Sequence, residues 1–129
     1  MMNWLPYKKR ENFSDYFIEV RINPQPKHPD KLEICIVLYN KSKKETVLRA
    51  DNSHIPLPPK GGKWPFHIHF PNSNGRGMYV GNESWEYNKL FVDYIKKDNR
   101  LNEGEKIQIQ NKLEMIWPEE EIKLFCKEP

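Results

Sequence analysis

Apolar and polar residues alternate through residues 13–22, FSDYFIEVRI, where Ile18, Val20 and Ile22 recur two apart. Positions two apart share one face of an extended chain, so this segment reads as a first strand. The most apolar run, residues 32–39 (LEICIVLY), reads as a central strand. Residues 40–43 read as a turn and residues 44–50 (KETVLRA) as a third strand, the two strands forming a hairpin. Residues 66–70 read as a fourth strand, and residues 78–80 as a short strand end. Residues 1–12 read as an irregular arm. Residues 23–30, with three prolines, read as a loop.

The pattern then changes period. Tyr87, Leu90, Phe91, Tyr94, Ile95 and Leu101 follow helical spacing, which predicts one amphipathic helix over residues 84–100. Asn82 or Ser84 can cap it, Glu83 and Glu86 sit near its positive end, and residues 102–104 (NEG) end it. Further on, Ile107, Ile109, Leu113, Met115 and Trp117 alternate as a strand would, yet the same residues form helices well. The secondary structure of residues 105–117 therefore stays open between strand and helix. After Pro118 the string EEEIKLFC predicts a short helix. The expected fold is α+β: an antiparallel sheet of about four to six strands, one amphipathic helix packed on a face, and a short C-terminal element. Residues 1–129 form a single domain on this reading.

Composition narrows the class. Mean hydropathy is −0.88, and no apolar run approaches the ~20 residues of a membrane helix. The start, MMNWLPYKKREN, lacks the apolar core of a signal peptide. The expectation is a cytoplasmic protein with no membrane partner. Cys35 and Cys126 match no metal or redox spacing and are expected to be reduced and inert, Cys35 in the core. Net charge is +3, unevenly spread: residues 1–80 hold 13 Lys/Arg against 7 Asp/Glu, and residues 81–129 hold 8 against 11. The basic part favours phosphate-bearing partners, although an ordinary solvated surface would show the same split.

That part also holds the candidate chemistry. His54, His67 and His69 fall within residues 49–77, with Arg49, Asp51, Asn52, Lys63, Arg76 and Tyr79 nearby. Three readings are open. Imidazole titrates near neutrality, so one histidine can take the 2′-hydroxyl proton of RNA while another donates to the leaving oxygen. Arg49, Lys63 or Arg76 would then meet the phosphate, Asp51 and Asn52 would help bind substrate, and Tyr79 would stack a base. No cofactor or metal is needed. Alternatively, His67 and His69 with His54 or Asp51 could hold a metal ion. The cupin-type glutamate after the second histidine is missing, because Asn72 and Ser73 stand there. Thirdly, the histidines could be structural.

The string from Val47 to His54 (VLRADNSH), followed by His67-Ile68-His69, resembles the TumE-like toxin family of prokaryotic toxin–antitoxin systems over roughly residues 17–96. The resemblance implies a growth-inhibiting ribonuclease with RNA as substrate and an antitoxin protein as partner. The alternative from another class is a non-enzymatic nucleic-acid- or protein-binding module, such as a phage or plasmid accessory protein.

Overall fold

The computed structural model describes residues 6–25, 28–52, 66–69, 77–81 and 86–127. Six strands form one antiparallel sheet in chain order: β1 (Tyr7–Phe13), β2 (Tyr16–Gln25), β3 (His28–Asn40), β4 (Glu45–Asp51), β5 (Phe66–His69) and β6 (Gly77–Gly81). Three helices follow: α1 (Tyr87–Lys96), α2 (Glu103–Ile116) and α3 (Glu119–Lys127). The α+β class holds. No helix among the described residues is long and apolar enough to cross a membrane.

Tight turns set the register. Ser14 has a φ of 49° in the two-residue turn between β1 and β2, as the twist of short hairpins favours. Asn40, which is buried, closes the β3–β4 turn. Its Oδ1 accepts hydrogen bonds from Ser42 Oγ at 2.9 Å and Lys43 N at 3.0 Å.

The alternation then assigns the two sides. Ile18, Val20, Ile22, Ile34, Ile36, Leu38, Leu48 and Ala50 are fully buried on one face. Helix α2 lies against β1 and β2, and α1 lies against α2 and β6. From α1 come Tyr87, Phe91 and Ile95, and from α2 Ile109, Leu113 and Ile116, all buried at helical spacing. The Tyr7 hydroxyl donates to the carbonyl of Ile116, tying the edge strand to the end of α2.

Several expectations change. Residues 7–12, read as an arm, are most of β1. The segment 13–22 straddles a turn, and within the supposed loop 23–30 residues 23–25 extend β2 and residues 28–30 open β3. The helix expected over 84–100 is shorter, with Glu86 at its N-cap position and no side-chain cap. The caps expected from Asn82 and Ser84 lie outside the described residues. Asn102 does not end a helix but starts one. Its Oδ1 accepts from Glu105 N at 2.8 Å, and Glu105 Oε1 accepts from Asn102 N at 2.9 Å, a reciprocal capping box. The open choice at residues 105–117 resolves as helix through Ile116. Ile107 and Met115, which supported the alternating reading, are 58% and 64% exposed.

Candidate functional site: the open face of the sheet

In β1 to β4 the residues between the buried ones point the other way, and cross-strand register arranges them in rows that continue as backbone positions into β5 and β6. One row runs Lys8, Arg21, Cys35, Asp51, His67, Tyr79 from β1 to β6. The next runs Arg10, Glu19, Val37, Arg49, His69, Gly77. Paired residues on one face stand ~5 Å apart at Cβ. Positions 67 and 69 are thus register partners of Asp51 and Arg49, while position 68 partners Ala50 of the core face. Tyr79 is the register partner of His67.

Charges on this face are sorted by depth. Arg49 keeps 44% of its side chain exposed, whereas Asp51 is fully buried, and Arg49 Nε lies 3.2 Å from Asp51 Oδ2. Glu19 is also fully buried. Arg10 donates to its Oε1 through Nε at 3.1 Å and Nη2 at 2.9 Å, and Arg21 Nε donates to Oε2 at 2.6 Å. Burial pushes the Glu19 carboxyl up. The hydrogen bonds and charges of Arg10 and Arg21 outweigh burial and hold it below its ordinary value. Arg10 and Arg21 remain 42% and 50% exposed. Along these two rows the surface presents guanidinium groups and hides the carboxylates of Glu19 and Asp51, while Glu33, further along β3, is half-buried.

The third row carries aromatics. Phe17 and Tyr39, register partners, stack with ring centroids 5.0 Å apart, and Arg10 Cζ sits 3.7 Å from the Phe17 centroid. Cys35 is a half-buried free thiol on this open face rather than in the core. Burial raises its pKa, with Arg49 pulling the other way, so it stays protonated at neutral pH and is a poor nucleophile. The Cys126 side chain lies outside the described residues.

The expected substrate-binding residues separate. Arg49 is on the open face and accessible. Asn52 is buried, and its side chain bonds the β3 backbone: Nδ2 donates to Leu32 O at 2.9 Å, and Oδ1 accepts from Ile34 N at 2.7 Å. That geometry makes Asn52 a strand anchor, fixing the chain two residues before His54. His54, Lys63 and Arg76 lie outside the described residues.

The sequence reading missed Glu19, its two arginines and the Phe17–Tyr39 pair. The signal was present in the alternation of β2, since Phe17, Glu19 and Arg21 must face away from Ile18, Val20 and Ile22. No family model matches the chain, and neither a curated protein nor a solved structure matches it.

Proposed function

We propose that this chain is a metal-independent endoribonuclease of toxin type, acting in the cytoplasm and held in check by an antitoxin protein, as the resemblance to the TumE-like family implies. The observation that carries the reading is the register of β5, in which positions 67 and 69 partner Asp51 and Arg49. Asp51 stands opposite position 67 and Arg49 opposite position 69. His67 is then the acid and His69 the base, with Asp51 as the orienting partner of His67.

The step balances without a cofactor. His69 takes the proton of the ribose 2′-hydroxyl as its oxygen bonds to phosphorus. The bond from phosphorus to the 5′-oxygen breaks, and His67 gives that oxygen a proton. The products are a 2′,3′-cyclic phosphate and a free 5′-hydroxyl. Arg49 stabilises the charge on the phosphoryl oxygens, with Lys63 and Arg76 as further cations and Tyr79 as a stacking surface for a base. His54 is the alternative acid.

The test is incubation of the purified chain with single-stranded RNA in EDTA, followed by end-group analysis. Fragments ending in cyclic phosphate are expected. Loss of cleavage in EDTA with recovery on zinc or manganese would move the mechanism to a metal. Absence of both cleavage and growth arrest on expression would remove the enzyme reading.

A further inference from the structure

The aromatic and cationic end of the open face, next to β1, has no role in the proposed chemistry, yet it is a built surface. Phe17 and Tyr39 are half-buried and stacked on each other, Arg10 lies over Phe17, and Arg21 stands two rows from the aromatic pair, across the row of Glu19. Glu19 holds both guanidiniums in place but carries one charge, so the cluster keeps a net charge of +1. Lys8 and Lys41 are exposed at its border, Lys41 Nζ donating to Asn12 Oδ1 at 3.3 Å. Glu19 itself is closed to solvent. A partner would meet positive charge and the ends of the Arg10–Phe17–Tyr39 stack, with the carboxylate beneath.

We infer that Arg10, Phe17, Arg21 and Tyr39 form a docking surface for a single-stranded RNA, with bases extending the Arg10–Phe17–Tyr39 stack at its ends and phosphates meeting the guanidiniums. Charge complementarity selects a polyanion. The aromatics select a strand whose bases are unpaired, because a duplex offers no base faces to stack. From β2 to β5 is three strand spacings, ~14 Å, so one bound strand can run from this surface to positions 67 and 69. The inference rests on the proposed function for the choice of RNA. It adds where the substrate is held, away from the bond that breaks.

Binding is separable from cleavage with a fluorescein-labelled 2′-O-methyl oligoribonucleotide, which has no 2′-hydroxyl to react. Fluorescence anisotropy with the full chain should show binding to the single strand and much weaker binding to its duplex. For three arginine contacts, counting Arg49, the log–log salt slope should be about −2, and Arg21→Gln should flatten it by ~0.7. Phe17→Leu and Tyr39→Leu keep apolar volume and should each weaken binding about tenfold with the melting temperature retained. Should either leucine variant fail to fold, the other and Arg21→Gln still decide. Equal binding of duplex and single strand, or unchanged affinity in both folded leucine variants, overturns the inference. Binding of this kind without cleavage of natural RNA leaves it standing and sinks the proposed function. Cleavage by leucine variants with wild-type affinity does the reverse.

Discussion

The two faces of the sheet are made by the same strands and differ in every property that matters. On the covered face, side chains from β2, β3 and β4 are apolar, fully buried and packed against helices. On the open face, their immediate chain neighbours are half-exposed arginines over buried carboxylates, with aromatics at one end. A shift of one residue along a strand exchanges one environment for the other. Cohesion and chemistry can therefore be altered separately, by substitution at neighbouring positions.

The largest effect should come from the covered face. Ile36→Ala removes a fully buried side chain from the middle strand and should cost about 3 kcal/mol in urea unfolding. A loss below ~1 kcal/mol would mean that the helices do not seal this face.

Glu19 sharpens the contrast, because there the open face holds the fold together through charge. Glu19→Ala should cost about 1–2 kcal/mol, discounted because both arginines are half-exposed and can be solvated. Its folded carboxyl value is depressed. The stability it adds is therefore present above the ordinary carboxyl value and is lost as pH falls through the lower folded one. The wild type should weaken between about pH 5 and 3, and Glu19→Gln should flatten that acid limb. Parallel acid limbs in urea melts of the two proteins would rule out this role. Asp98, held low by its hydrogen bonds to Arg100, should add to the acid loss in both.

Asn102 lies on neither face and sets a scale for local effects. Asn102→Ala breaks the capping box of α2 and should lower stability by about 1 kcal/mol. Arg49→Gln should cost about as much, ~1 kcal/mol, because it removes the ion pair of the fully buried Asp51, and it should also lower the rate of RNA cleavage.

Much of this division could be read from the chain. Ile18, Val20 and Ile22 already mark the buried face, and Asn40 to Lys43 mark the turn. What escaped was decided by tertiary packing. Ile107 and Met115 are exposed apolar residues, so their spacing imitated a strand, and only the burial of Ile109, Leu113 and Ile116 reveals the helical period. Residues 23–30 looked like a loop because prolines suppress strand propensity, yet β2 and β3 pair through that region across a register irregularity between Pro24 and Gln25. At the candidate site, Arg49 and Asp51 were legible as charged residues close to the histidines in sequence, but not as an ion pair. The burial of Asp51 and the anchoring of Asn52 were not, because both depend on β3, some 18 residues away in sequence.

The proposed function divides β5 between chemistry at positions 67 and 69 and cohesion at position 68. The direct measurement is the urea midpoint and the RNA cleavage rate of His67→Ala, Ile68→Ala and His69→Ala, taken on the same preparations in EDTA. The histidine variants should lose about 10²–10⁴-fold in rate and keep the wild-type midpoint. Ile68→Ala should unfold at lower urea, yet cleave at close to the wild-type rate per folded molecule. Histidine variants that cleave normally, or that unfold as early as Ile68→Ala, would contradict the account.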